Sequence, residues 1–194
     1  MKFSNRHNKS YQTEDGIVWA SRSCAVVANL WCIVDGVAYA LIGRRGPNMD
    51  HPNKLNMTCG YMDWDENGTD AVRRELFEET GLDITKFEYT FVENGSPWFV
   101  NTDPAQNRQN ITLHYGIILY ADSLPELSLD NMEPGESLGA FWKTTEEIQS
   151  IEKDEFAFNH QHYLEFFRNK YDIFLDNYLF QGKKQYVQTI ITQK

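Results

Sequence analysis

Several segments of the chain have the apolar and β-branched character of strands. The segments CAVVANLWCIV and VAYALIGRR are joined by Asp35-Gly36, a turn signal that predicts a β-hairpin. Further along, FEYTFVEN and QNITLHYGIILYA read as two more strands, and GAFWKTT reads as the end of another. The intervening SPWFVNTDPAQNR reads as a long polar loop, and loops of that length are often functional.

Helical patterns lie between and after these strands. Thr69 is a candidate N-cap, Asp70 would lie in the first turn, and Gly81 fits the position that ends a helix. A helix is therefore predicted over about residues 70–80. The segments TEEIQSIE and FAFNHQHYLEFFRNKYDIFLDNYLF predict two more helices, and QYVQTIIT a last strand. The mixture places the chain in the α/β or α+β class.

Composition limits the function classes. The 194 residues are 41% hydrophobic, which fits one folded domain over residues 1–194, and the net charge of -10 disfavours a protein that coats nucleic acid. No apolar stretch has the length of a membrane span, and the polar N-terminus lacks a signal-peptide pattern. The cysteines Cys24, Cys32 and Cys59 lack CxxC spacing, so we expect reduced thiols and a cytoplasmic location.

The predicted helix at residues 70–80 concentrates acidic side chains. At 100° per residue, Glu75, Glu78 and Glu79 fall within an arc of about 100°, while Val72 and Leu76 face the core. Like charges at this spacing destabilise a helix, so the sequence predicts that something neutralises them. Three carboxylates that face a glycine-ended loop form a hard-oxygen site, which suits Mg²⁺ or Mn²⁺.

These residues also match a known signature. Gly60 and Glu66 precede Arg74-Glu75-Leu76, Glu78-Glu79 and Gly81-Leu82 at the spacing of the Nudix box, so residues 60–82 resemble that motif at every signature position. The resemblance extends over about residues 17–150 and leaves a C-terminal helical extension at about 155–180. It implies the Nudix fold, a mixed β-sheet between helices, and metal-dependent cleavage of a nucleoside diphosphate linked to another group.

The resemblance also assigns expected roles within the box. It implies that Glu78 and Glu79 are metal ligands and that Glu75 is a third ligand or the general base. Arg74 would orient the glutamates through charge-assisted hydrogen bonds. The remaining members of the expected site are Glu66 near the metal shell, the Cys59 carbonyl as a backbone ligand, and Gly60, which allows close approach of the backbone.

Two features of the box region leave alternatives open. In this family the base also comes from a loop outside the box, and Glu136 stands six residues before Trp142, while Glu133 is the alternative. Either could equally be a solvated loop acid. Relatives often have Pro-Gly-Gly where this chain has Thr58-Cys59-Gly60, a departure that retains the last glycine and changes the rigidity of the loop.

The substrate clues lie outside the box. Pro97 stands fifteen residues after Leu82, a position that the family associates with ADP-ribose hydrolases. Trp98 could stack on a base or anchor the loop in the core. Arg44, Arg45 and Arg108 are candidate phosphate contacts or ordinary surface charges. His160 and His162 do not share a helix face, so we expect packing or surface roles for them.

The leading expectation is a hydrolase of a nucleoside diphosphate derivative, with ADP-ribose or an ADP-sugar favoured. A nucleoside triphosphate pyrophosphohydrolase on the same metal site is the alternative. A catalytically silent nucleotide-binding module is a further alternative, although such modules usually lose box glutamates that this chain retains. The expected partner is a small nucleotide rather than nucleic acid or a membrane, and the last predicted helix could form a homodimer contact.

Overall fold

The computed structural model describes residues 9–20, 23–103, 110–130 and 135–171. Its strands are β1 Lys9–Thr13, β2 Gly16–Ala20, β3 Ser23–Val34, β4 Val37–Arg45, β5 Leu55–Asn56, β6 Cys59–Tyr61, β7 Glu88–Phe91, β8 Phe99–Asp103, β9 Asn110–Tyr120 and β10 Ser137–Thr144. Its α-helices are α1 Gly68–Thr80, α2 Thr145–Ser150 and α3 His160–Lys170, and short 3₁₀ turns connect some elements.

The main sheet is mixed. Its central path runs β10-β4-β3-β9-β7, with β5, β6 and β8 paired to β4, β3 and β9 respectively, while β1 and β2 form a separate hairpin. Only β3 and β9 run parallel among the pairs of described strands. The predicted hairpin between β3 and β4 is confirmed, and Asp35 and Gly36 both have the positive φ of a tight turn.

The sheet separates two hydrophobic clusters because successive residues of β3 point to opposite faces. On one face, Val26 and Leu30 pack with Val72 and Leu76 of α1. On the other face, Val27 and Trp31 pack with residues of α3. The predicted class, a mixed sheet between helices, is therefore confirmed. Within the described residues, no helix is long and apolar enough to cross a membrane.

Three local predictions need correction. Asn67 rather than Thr69 caps α1, because its Oδ1 accepts hydrogen bonds from the backbone N–H groups of Thr69 and Asp70. The predicted loop at residues 96–108 contains β8, which pairs antiparallel with β9. The aromatic helix begins at His160 rather than Phe156, because the residues just before it adopt left-handed backbone angles.

Two further predictions concern the C-terminal part of the chain, of which the structure describes residues up to 171. The end of the aromatic helix beyond residue 171 and the strand predicted at QYVQTIIT lie outside the described residues. The three cysteines are free thiols, as expected.

Candidate active site

Helix α1 presents its acidic flank to β6 because its apolar side is buried against the sheet. Ala71, Val72 and Leu76 are completely buried. The helix ends at Gly81, whose φ of 70° is the left-handed conformation that glycine adopts without a side-chain clash. The predicted end of the helix at Gly81 is thus confirmed. The glutamates lie between this residue and the N-cap Asn67.

Arg74 supplies the positive charge that the acidic helix requires. Its Nη1 donates to Glu75 Oε1 and to Glu78 Oε2, both at 2.9 Å. Its Nη2 and Nε donate to the two carboxylate oxygens of Glu66 at 2.7 and 3.1 Å, and Nη2 also donates to the Tyr61 carbonyl. These hydrogen bonds hold the pKa of Glu66 below its usual value. One guanidinium therefore joins three carboxylates to the backbone of β6.

Gly60 is required by the position of Glu75. A Cβ atom added at Gly60 would lie 2.1 Å from Glu75 Oε1, far inside van der Waals contact. Glu79 lies alongside and accepts a hydrogen bond from the Cys59 N–H at 3.3 Å. The backbone at residues 59–60 therefore lies directly against the two carboxylates, which is the close approach that the resemblance implied for this glycine.

Two of these carboxyl groups have pKa values above the usual range. Burial raises the pKa of Glu75 to about 7, although Arg74 opposes the shift. Burial, followed by repulsion from Glu75, raises the pKa of Glu79 to about 8. The Cys59 thiol beside them is no activated nucleophile, because burial raises its pKa to about 12.

The donor set fits a hard divalent cation. Glu75, Glu78 and Glu79 offer carboxylate oxygens, the ligands that Mg²⁺ and Mn²⁺ prefer, and a cation between them would favour the ionised form of the two groups with raised pKa. In the described parts of the chain, no three acidic, histidine or cysteine side chains already surround one point. Arg74 instead holds Glu75 and Glu78, while Glu79 points to Cys59.

A recess opens beside Glu79. Its lining includes Arg45, Asn56, Glu136 and Ser137. The carbonyl of Glu136 accepts a hydrogen bond from the Gly46 N–H at 2.7 Å, which ties this late acid to the end of β4. The negative charge of Glu136 contributes to the raised pKa of Glu79, and the positive charge of Arg45 opposes it. The structure thus brings Arg45 and Glu136 to the acidic helix.

The other predicted substrate residues do not line this recess or lie outside the described residues. Arg44 donates from Nη1 to the Asn53 carbonyl at 2.8 Å. Pro97 is half-buried in the loop before β8. Trp98 is only 7% exposed and packs with Phe167 in the core, which favours the anchoring alternative over base stacking. The segments with Arg108 and Glu133 lie outside the described residues.

Sequence reasoning missed several residues around the site. Asn56 donates from Nδ2 to the Met57 carbonyl and lines the recess. His160 is buried, as the packing alternative predicted, but its Nδ1 also accepts a hydrogen bond from the Met57 N–H at 2.9 Å. A polar Asn within the apolar run LNM was the available signal for Asn56, whereas the sequence gives no local signal for the His160 contact.

Comparisons with known proteins agree with this geometry. The family model of the NUDIX domain matches residues 11–167. The NUDIX domain of Shewanella oneidensis NrtR, solved with ADP ribose, superposes with a TM-score of 0.58 at 18% identity over 77% of this chain and 88% of that one. An Ap4A hydrolase from C. elegans gives 0.57 at 16% identity over 76% and 96%.

A third solved structure comes from Francisella tularensis. It is a bifunctional NMN adenylyltransferase/ADP ribose pyrophosphatase complexed with AMP and a manganese ion, with a TM-score of 0.56 and 19% identity over 77% of this chain and 42% of that chain. A search of curated proteins found no match. At these identities the structural likeness shows the fold.

Because the family model covers most of its length, the chain belongs to the Nudix family. The predicted resemblance is confirmed, and so is the enzyme class at the level of the family, that of the Nudix pyrophosphohydrolases. The family uses divalent metal ions, in agreement with the carboxylate set on α1.

Proposed function

We propose that this protein is a divalent-metal-dependent hydrolase that cleaves the pyrophosphate bond of a nucleoside diphosphate linked to another group, with ADP-ribose or an ADP-sugar favoured. The observation that carries the proposal is the convergence of Glu75 and Glu79 on the backbone of Cys59 and Gly60, with Arg45 in the recess that Glu79 lines. Negative ligands and a cation lie side by side, as a metal-bound diphosphate requires.

The box residues divide into ligands and supports. Glu75, Glu78 and Glu79 would hold Mg²⁺ or Mn²⁺, with the Cys59 carbonyl as a further ligand. A bound divalent ion supplies charge neutralisation of the diphosphate and lowers the pKa of a coordinated water. Arg74 orients Glu75 and Glu78, and Glu66 fixes Arg74 in turn.

Among the described residues, two are candidates to accept the proton of the attacking water. Glu75 lies within the carboxylate set, and Glu136 lines the recess beside Glu79. A general base must come within hydrogen-bond reach of the water that it deprotonates, directly or through one further water. Arg45 is the cation at this recess, and it would bind a phosphate oxygen of the substrate.

The preference for ADP-ribose rests on two observations. Pro97 occupies the position that the family associates with ADP-ribose hydrolases, and the NrtR domain with a similar fold was solved with ADP ribose. A nucleoside triphosphate pyrophosphohydrolase would use the same carboxylates and is the alternative. The complete set of box glutamates argues against a catalytically silent module.

A substrate panel tests this proposal. ADP-ribose, ADP-glucose, GDP-mannose, NADH, diadenosine polyphosphates and the nucleoside triphosphates are incubated separately with the protein and Mg²⁺ or Mn²⁺, and the products are separated by chromatography. We expect AMP and ribose 5-phosphate from ADP-ribose, and no turnover in the presence of a chelator. Pyrophosphate from a triphosphate would instead support the alternative, and nucleotide binding without turnover would support a silent module.

A further inference from the structure

Two adjacent residues just before α3 have an unusual backbone conformation. Phe158 has φ 54° and ψ 23°, and Asn159 has φ 59° and ψ 27°. Asparagine enters the left-handed region with modest strain, but a bulky residue such as phenylalanine rarely does. Such strain persists only where the surroundings impose it, and it is frequent at functional sites.

The surroundings of this turn are the residues that lead into the Nudix box. Before the turn, Phe156 forms a parallel bridge with Leu55, and the Lys54 ammonium donates to the Asp154 carbonyl. After the turn, His160 Nδ1 accepts the hydrogen bond of the Met57 N–H. Both ends of the turn are thus fixed to residues 54–57, and the backbone between them has little freedom.

The turn directs the Phe158 ring to Arg45. The guanidinium carbon of Arg45 lies 4.8 Å from the ring centroid, within the range of a cation–π interaction. The His51 ring meets the same phenylalanine edge-on at 4.8 Å. Arg45 Nε also donates to the Asp50 carbonyl at 2.5 Å. Ring and carbonyl together fix the plane of the guanidinium of Arg45, a residue that is only 6% exposed.

The Arg45 side chain that is fixed in this way belongs to the candidate active site. Arg45 lines the recess that Glu79 and Glu136 share. A bidentate contact to a phosphate depends on the orientation of the guanidinium plane, so a residue that sets this plane affects substrate binding without contacting the substrate.

We propose that Phe158 is a positioning residue: the left-handed turn at Phe158-Asn159 presses its ring against Arg45 and orients the guanidinium for a substrate phosphate. The inference rests on the proposed function. According to it, the segment between α2 and α3 contributes to the affinity for the substrate. Its effect passes through Arg45, so it acts on binding and leaves the metal-bound water unaffected.

The test compares two phenylalanines of almost equal exposure. Phe158 is 41% exposed, and Phe166 of α3, which packs on Trp98, is 42% exposed. We expect Phe158→Leu to raise the KM for the nucleotide by about threefold to tenfold, the size of one cation–π contact, with kcat nearly unchanged. Phe158→Tyr should restore the KM, and Phe166→Leu should leave it at the wild-type value. Equal effects of the two leucine variants would overturn the proposal.

A second measurement does not depend on turnover. The Nε–H signal of Arg45 in a ¹⁵N NMR spectrum, assigned by its loss in Arg45→Lys, reports the ring above it and the hydrogen bond to Asp50. We expect this signal to shift when inorganic pyrophosphate is added with Mg²⁺. We expect Phe158→Leu to displace the signal in the free protein and to weaken the pyrophosphate response.

The two measurements separate the inference from the proposed function. If no nucleotide is hydrolysed but the Arg45 signal responds to pyrophosphate and depends on Phe158, the proposed activity fails and the positioning role stands. If hydrolysis occurs but neither KM nor the Arg45 signal changes in Phe158→Leu, the positioning role fails. Phe158→Asn, which suits the left-handed backbone and lacks the ring, guards against a folding defect and should behave as Phe158→Leu does.

Discussion

The two faces of the central sheet differ in the charge of the polar side chains that they contain. On the α1 face, carboxylates stand close together and Arg74 joins them in one ionic network. On the α3 face, His114 and His160 are almost completely buried, and burial lowers their pKa values to about 4 and about 3. The first face thus concentrates charge, whereas burial keeps these two histidines of the second face neutral.

The difference indicates that the two faces have different roles. Charge is tolerable on the α1 face because a guanidinium is shared and because Glu78 remains half exposed. On the α3 face, His160 is held neutral and accepts a backbone hydrogen bond from the segment before the box. We therefore expect the chemistry to take place on the first face, while the second face fixes the backbone of the segment before the box.

The largest expected effect comes from neutralising a carboxylate of α1. Glu78→Gln or Glu79→Gln should lower kcat by about two orders of magnitude or more, because each removes a charged metal ligand while the fold stays intact. Steady-state kinetics with the substrate found by the panel, together with circular dichroism, measure this. Glu152→Gln, at an exposed position after α2, is the control. Full activity in both variants would show that the metal-site interpretation is wrong.

The next effect concerns the shared guanidinium. Arg74→Ala should lower the free energy of unfolding by about 1–3 kcal/mol, because three carboxylates lose their common partner; the side chain is 26% exposed, so solvent screens part of the interaction. Urea denaturation with a chelator measures the loss, and Mg²⁺ should restore part of it.

The neighbouring arginine provides the matched control for this experiment. Arg73 instead pairs with Asp70, donates to the Tyr89 hydroxyl and lies over the rings of Tyr89 and Phe91, so the stability lost in Arg73→Ala should not respond to Mg²⁺. Equal restoration by Mg²⁺ in Arg73→Ala and Arg74→Ala would contradict the network described for the α1 face.

Much of the α1 face could be predicted from the sequence because its information is local. The glutamate spacing, the end at Gly81 and the close approach at Gly60 all follow from residues within one short motif. The contacts of the α3 face join distant positions: Met57 and His160 are 103 residues apart. No periodicity encodes such a pair, and the left-handed Phe158 contradicts its own local preference, so the early start predicted for the last helix was wrong.

Strand β8 illustrates a second limit of prediction from the sequence. Its residues Phe99–Asp103 lie in a stretch with prolines and polar residues, which favoured a loop. The strand exists because its backbone pairs with β9, and tertiary pairing overrides a weak local propensity. Arg45 was among the predicted phosphate contacts, but the ring that orients it could be identified only from the structure.

The pH dependence of stability should distinguish the α3 face. The folded-state pKa of His160 lies below its unfolded value of 6.5, so the unfolded chain binds the proton and stability falls as pH drops from 6.5 towards 3. Between pH 6.5 and 5, the wild type should lose about 2 kcal/mol relative to His160→Gln. His114 and Arg45 add repulsion to the charged form.

Urea midpoints across this pH range measure the difference between the two proteins. His162→Gln, at an exposed position of the same helix, is the control. Parallel profiles for the wild type and His160→Gln would mean that His160 is not held neutral in the folded protein. The difference in charge described for the two faces would then be wrong for the α3 face.

The smallest expected effect compares the two helix starts, since an asparagine precedes each helix. Asn67 Oδ1 accepts two backbone hydrogen bonds at the start of α1, whereas the Asn159 side chain makes no capping hydrogen bond at the start of α3. Asn67→Ala should therefore cost about 1 kcal/mol in urea denaturation, and Asn67→Asp should retain most of the stability. Asn159→Gly should cost nothing or add a few tenths of a kcal/mol, because glycine adopts the left-handed φ freely. A larger loss in Asn159→Gly than in Asn67→Ala would mean that the asparagine itself, rather than its backbone conformation, begins α3.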